Sequence, residues 1–224
     1  PSLIRVRPYN VIRQLSRRHE ITLIALAHGD PCEDEALPEL RSLCERVYVI
    51  PMSKSEAIAN CCRRLFSAIP LQAAYTEHQP ASNLVRRIAE RGAFDLIHVE
   101  HIRGAHLASG AVERVPAVFD SVDCITRLLK QRVENPRGTL ERALYTSELR
   151  RMRSYEPRVA SLFDSVVITS EHDRRALELL IHRFAGGGRT DGAARGTGES
   201  LSRLGRPERG RQRLFPRDRL SGRS

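Results

Sequence analysis

Between residues 7 and 180 the chain alternates short apolar runs with longer stretches in which apolar side chains recur every three or four positions. The short runs cover residues 20–26 (E-I-T-L-I-A-L), 46–51 (R-V-Y-V-I-P), 94–100 (F-D-L-I-H-V-E), 115–123 (V-P-A-V-F-D-S-V-D) and 163–170 (F-D-S-V-V-I-T-S), and each reads as a buried strand. Helices are predicted at 7–18, 34–44, from Ser53 onward, and at 79–91, 103–112, 125–133, 139–161 and 171–180. Pro8 suits a first helical turn, Ser53 and Glu56 make a capping box, Gly92 closes a helix, and Asn135-Pro136 stops another. Pro38 weakens the helix it falls in. Strands and helices alternating in this order predict an open α/β layer fold around a mostly parallel sheet.

Two helices carry more detail. The one opened by Ser53 gathers Ile58, Cys61, Cys62, Leu65, Phe66 and Ile69 on one side, with Lys54, Arg63 and Arg64 elsewhere. That pattern predicts a helix packed on the sheet, and it also suits a helix lying on an anionic membrane. The longest helix carries Leu140, Leu144, Leu149, Met152, Tyr155 and Val159 as its apolar stripe, with Arg and Glu on the solvated faces. The F-D pair recurs at Phe94-Asp95 and Phe163-Asp164, which reads as one helix-to-strand joint used twice, Phe packing under the helix and Asp capping a turn. A helix at 7–18 feeding straight into a strand suggests a βα unit whose first strand is missing, an N-terminal clip.

Chemistry collects at the ends of two runs. His98, Glu100 and His101 cluster at the end of one, Asp120 and Asp123 at the end of the next. In parallel α/β sheets, ligands bind outside the carboxyl ends of the strands, so these residues are expected to share an edge. The competing structural roles are turn capping for Asp120 and a hydrogen-bonded core imidazole for His98.

Composition divides the chain. Residues 182–224 hold 11 Arg, 4 acidic residues and 9 Gly among 43, while the first 181 hold 26 Lys and Arg against 23 Asp and Glu. The formal charge is therefore about +3 for the body and +7 for the tail, and the high overall pI says nothing of nucleic-acid binding by the body. The tail is expected to be disordered, or to be a frame-shifted translation of GC-rich coding sequence. Five cysteines with no C-x-x-C pair argue against a disulfide framework and for a reducing, cytoplasmic setting. No apolar run reaches the roughly 18 residues of a membrane span.

Taken together, I-R-V-R-P-Y-N-V-I-R-Q-L-S-R-R-H-E-I-T-L-I-A-L, F-D-L-I-H-V-E-H, V-P-A-V-F-D-S-V-D and the segment L-R-R-M-R-S-Y-E-P-R-V-A-S-L-F-D-S-V-V-I-T-S-E-H-D-R-R-A-L resemble the N-terminal domain of bacterial family 4-type glycosyltransferases. The resemblance covers about residues 2–180 and is nearest to the sugar transferases of exopolysaccharide-type clusters. It implies the acceptor-side, Rossmann-like half of a GT-B fold at residues 1–181, with the nucleotide-sugar-binding domain absent and the isolated piece inactive. The implied activity is retaining transfer of a sugar from a nucleotide-sugar donor to a glycan or lipid-linked acceptor in cell-surface polysaccharide synthesis, without cofactor or metal. Its catalytic candidates here are Asp120, Asp123 and His98; its cleft candidates are Glu100, His101, Arg103, Arg5, Arg7, Ser170 and Glu171. Where many members place a histidine at the end of the second strand, this chain reads D-S-V-D, so that role does not carry over, and Asp120 or Asp123 could act instead. Peripheral contact with the inner face of the membrane is a further expectation; a specific nucleic-acid partner is not. The alternatives are a non-catalytic α/β binding module and an RNA- or membrane-binding protein acting through the Arg-rich tail.

Overall fold

The computed structural model of the chain describes residues 3–29, 31–92 and 94–187. The tail beyond Gly187, with the expectations attached to it, lies outside the described residues.

The element order alternates helices and strands: α1 (Leu3–Leu15), β1 (Thr22–Ala27), α2 (Pro31–Leu43), β2 (Arg46–Pro51), α3 (Lys54–Arg64), α4 (Leu71–Tyr75), α5 (Gln79–Arg91), β3 (Ile97–Glu100), α6 (His101–Ala108), β4 (Ala117–Val122), α7 (Ile125–Glu134), α8 (Thr139–Ala160), β5 (Ser165–Ile168) and α9 (Glu171–Gly187). Every strand pairing is parallel. The fold is α/β and Rossmann-like in character, with one departure from a continuous sheet. The strands form two sheets, β1-β2 and β3-β4-β5, and no strand pairing joins them among the described residues.

The core sits against one face of the larger sheet. Val99, Ala117 and Phe119 project from that face and pack with Ile102 and Ala105 of α6, Ile125 and Leu129 of α7, and Leu149, Met152, Tyr155 and Val159 of α8. Phe119 also stacks on Phe163, their ring centroids 5.2 Å apart. Alternation along the strands then sends His98, Glu100 and Asp120 to the opposite face, and Glu100 pairs directly with Asp120 in the register. The second F-D joint works as expected for Phe163 and differently for its neighbour. Asp164 Oδ2 accepts the Ala117 N–H at 2.8 Å, so the carboxylate ties β5's approach to β4 rather than capping its own turn. At the first joint Asp95 is exposed.

Several local predictions meet different physics. Pro8 falls inside α1, because the helix starts earlier, at Leu3. Gly92 does close α5, but with an ordinary extended φ of −98°. A Cβ there would run into the Phe94 ring, so close approach and not a left-handed turn favours the glycine. The apolar stripe of α8 is buried only from Leu149 onward; Leu140 and Leu144 are exposed. α9 runs on through His182 to Gly187, past the point where apolar periodicity lapses.

The carboxyl ends of the two sheets are tied by side chains. The His28 ring, just beyond β1, packs against Tyr75 of α4 at 5.4 Å, and its Nδ1 lies 3.0 Å from the Met52 carbonyl beyond β2. Thr76 then bonds α6 twice: its hydroxyl donates to the Arg103 carbonyl at 2.8 Å, and its carbonyl meets His106 Nε2 at 2.9 Å.

Candidate functional site

The polar face of β3 and β4 meets α1 at the strand tips. Arg7, one turn into α1, places Nη1 2.7 Å from Asp120 Oδ2 and 3.9 Å from Glu100 Oε1. Its N–H is not aligned on the carboxylate, so the contact is an ion pair without a well-formed hydrogen bond. His98 Nε2 lies 3.7 Å from the same Asp120 oxygen, too far for a hydrogen bond though close enough for charge to be felt. Asp120 Oδ1 accepts the Val122 N–H at 3.2 Å. Both oxygens of Asp120 are thus engaged, and the residue is only 2% exposed.

Environment pushes the two carboxyls of this face apart. Burial and the neighbouring Asp120 charge raise Glu100 above the usual carboxylate range, against the pull of Arg7 and His98. Burial also works against ionisation of Asp120, but His98 and Arg7 outweigh it and hold Asp120 below its ordinary value. A pair separated in this way supplies one group that stays ionised and one that holds a proton more readily, the usual basis of acid–base division of labour.

Backbone strain marks the same two tips. Among the described residues the only non-glycine positions with positive φ are His101 (63°) and Val122 (62°), at the ends of β3 and β4. For a β-branched residue such as Val122 this conformation is a true outlier. The Asp123 N–H donates to the Ser121 carbonyl at 2.7 Å across Val122, giving the rare γ-turn with positive φ at its centre. The Ser121 hydroxyl returns a bond to the Asp123 carbonyl at 3.0 Å, and Thr169 donates to the Val122 carbonyl through both N–H (3.1 Å) and hydroxyl (2.7 Å). Strain held this firmly is typical of functional edges. Its product is Asp123, half-buried, whose carboxylate has no hydrogen bond or ion pair among the described residues.

Of the other sequence candidates, His101 accepts the Arg103 N–H on Nδ1 at 3.3 Å, and burial followed by the Arg103 charge lowers it to about 4, so it is a neutral imidazole capping its own helix. Arg103 is exposed at the start of α6. Arg7 is a partner of two carboxylates, Asp120 and Glu100. Arg5 belongs to α1, and its side chain lies outside the described residues. Ser170 and Glu171 stand apart from the cluster in role. Ser170 caps α9 by accepting the Asp173 N–H at 3.1 Å while its hydroxyl donates to the Asp173 carboxylate. Glu171 is exposed and held by Arg174 and Arg175, which lower it to about 2.

The residue that sequence reasoning passed over is Glu156. It is fully buried on α8 and accepts the N–H groups of Ile125 (2.6 Å) and Thr126 (2.9 Å), capping α7 just after the Val122 turn. Burial raises it despite these bonds. Its position gave a signal: together with Leu149, Met152 and Val159 it falls on the apolar stripe of α8, where an acid needs a partner. No group of three or more His, Cys, Asp and Glu side chains suited to a metal occurs among the described residues.

The class that fold and site define is a Rossmann-like α/β domain with an ionised and strained strand edge. No family model, curated protein or solved structure matches the chain. Among the described residues no helix is long and apolar enough to cross a membrane.

Proposed function

We propose that this chain is the acceptor-side part of a GT-B-type, retaining glycosyltransferase that uses a nucleotide-sugar donor and a glycan or lipid-linked acceptor. The observation that carries the reading is the pairing at the β3 and β4 tips of an unpaired Asp123 with a carboxylate pair whose proton affinities are pushed apart. Glycosyl transfer asks for a group that orients an acceptor hydroxyl and for another that exchanges its proton. In this reading Asp123 and His98 contact the acceptor, and Glu100 is the proton-holding group. Asp120, too buried to touch an acceptor, positions Arg7 and His98. The fold alone supports many chemistries, so the strand-tip groups bear the argument.

The same reading treats β1-β2 and β3-β4-β5 as parts of one sheet with a strand position between β1 and β3. The support for it is β1 itself. T-L-I-A-L-A is apolar enough for a central strand, yet all six positions are only half-buried. The nucleotide sugar would be held mainly by a second domain.

Saturation-transfer NMR with a panel of short oligosaccharides and short-chain polyprenyl-phosphate sugars tests the proposal. Binding is expected for at least one acceptor class, with about ten-fold weakening in Asp123→Asn, the loss of one charged hydrogen bond. Nucleotide sugars alone are expected to bind weakly. Failure of every saccharide to bind, or equal binding by Asp123→Asn and His98→Gln, sinks the reading.

A further inference from the structure

Helix α3 is packed the wrong way round for its sequence. The buried face holds Ala57 and Asn60, with Cys61 and Arg64 beside them, and the apolar stripe faces outward. Ile58 is 59% exposed, Leu65 43% and Phe66 98%. Ile58 and Cys62 lie one turn apart on α3, and Leu65 at its C-cap and Phe66 in the turn beyond extend the apolar patch past the helix end.

Polar anchors set this rotation. Asn60 Nδ2 donates to the Glu77 carbonyl at 2.7 Å, and Arg64 grips the Glu77 carboxylate through Nε (3.0 Å) and Nη2 (2.5 Å). Arg151 of α8 donates to the Leu65 carbonyl and holds the end of the helix in place. An exposed phenylalanine just past a helix fixed by its polar side is poorly explained by packing within this domain.

The charge around the patch leans positive. Lys54 and Arg63 are exposed on the same helix, Arg63 also donating to Asn60 Oδ1. Of the nearby acids, Glu77 binds Arg64, Glu148 binds Arg151 at 2.8 Å and the Leu71 N–H, and Glu56 is exposed, 3.9 Å from His78. An apolar stripe bordered by cations is the signature of a helix lying in a lipid interface.

We propose that α3 docks on an anionic bilayer surface. Ile58, Cys62, Leu65 and Phe66 enter the boundary between headgroups and acyl chains, and Lys54 and Arg63 meet lipid phosphates. This proposal stands on α3 alone and does not require the sugar-transfer reading.

The chain contains no tryptophan, so Phe66→Trp in the full chain introduces a single fluorescent reporter. With vesicles of phosphatidylcholine and phosphatidylglycerol, its emission is expected to shift to the blue and to be quenched by brominated acyl chains. Pure phosphatidylcholine vesicles should produce little change. In co-sedimentation, Ile58→Ser with Phe66→Ser is expected to weaken binding at least about ten-fold, given the apolar area withdrawn. Both positions are exposed, and unchanged circular dichroism will confirm that the variant is folded. Unshifted emission from vesicles that still sediment the protein would assign the contact to the Arg-rich tail and overturn the proposal. So would a concentration-dependent dimer that the double serine variant abolishes, since the stripe would then face a second copy.

Discussion

The two sheets of this molecule are both built around apolar strands and end in different states. β4 is buried at four of its six positions, with Phe119 at 0% exposure, and is paired on both edges. β1 is apolar from Leu23 to Ala27, half-buried at every position and, among the described residues, paired only with β2. The difference lies in what covers them. β4 has α6, α7 and α8 on one face, whereas no residue of β1 or β2 enters the main core cluster. Apolar composition makes a strand; the layers around it decide how much stability it returns and where function can be mounted. Here the strained, charged edge sits on the well-covered sheet, which can hold a γ-turn at Val122 against its tendency to relax.

Substitutions should expose that asymmetry, beginning with the largest. Phe119→Ala opens a cavity in the core and should cost about 3–5 kcal/mol, read as a lower urea midpoint at unchanged slope. A loss under about 1 kcal/mol would mean that β4 is not the centre of the fold. Glu156→Ala leaves the buried N–H groups of Ile125 and Thr126 unpaired, a cost of about 3 kcal/mol, whereas Glu156→Gln keeps an acceptor and should cost less. Equal effects of the two would place the loss in packing and not in the cap.

Asp120→Asn removes the ionised partner of Arg7, with an expected cost of about 1–3 kcal/mol at neutral pH, the cost of leaving a buried polar group without its partner. The sign follows from its lowered proton affinity in the fold. The contribution is complete above the ordinary Asp range, near pH ~4, and fades as pH falls through the lower folded value. Glu100, raised in the fold, works in the opposite sense and recovers stability as it protonates. Acid titration of native protein should therefore lose stability below pH ~4, and Asp120→Asn should show a flatter acid limb. Identical limbs would dissolve the ion-pair argument.

The smallest effect is expected in the other sheet. Ile24→Ala should cost about 1 kcal/mol, because its side chain is only half removed from water. Native-state hydrogen exchange should find the β1 and β2 amides opening before those of β4. Uniform protection across both sheets would erase the comparison.

Much of this was legible from residue order. The β2 run, the α5 and α7 helices and the Ser53 cap, whose hydroxyl accepts the Glu56 N–H at 3.1 Å, appear where local pattern puts them. Those signals are local: a periodicity, a capping side chain, a proline. The clustering of His98, Glu100 and Asp120 was also legible, because alternation and the parallel rule fix face and end together. Arg7 was placed at the right edge, but its carboxylate partners were not legible, since they come from strands about a hundred residues away in the chain.

The sequence by itself determined the alternation of parallel strands and helices and the polar character of two strand tips, because both depend on contacts between near neighbours along the chain. Only the tertiary structure decided which face of α3 is buried, which carboxylate at the β4 tip is engaged and which is unpaired, and that Val122 is strained. Each of those outcomes is a competition among distant groups for the same space and charge. Asn60 and Arg64 take the inside of α3 and leave Ile58 outside because Glu77 stands opposite them, and no local pattern records that.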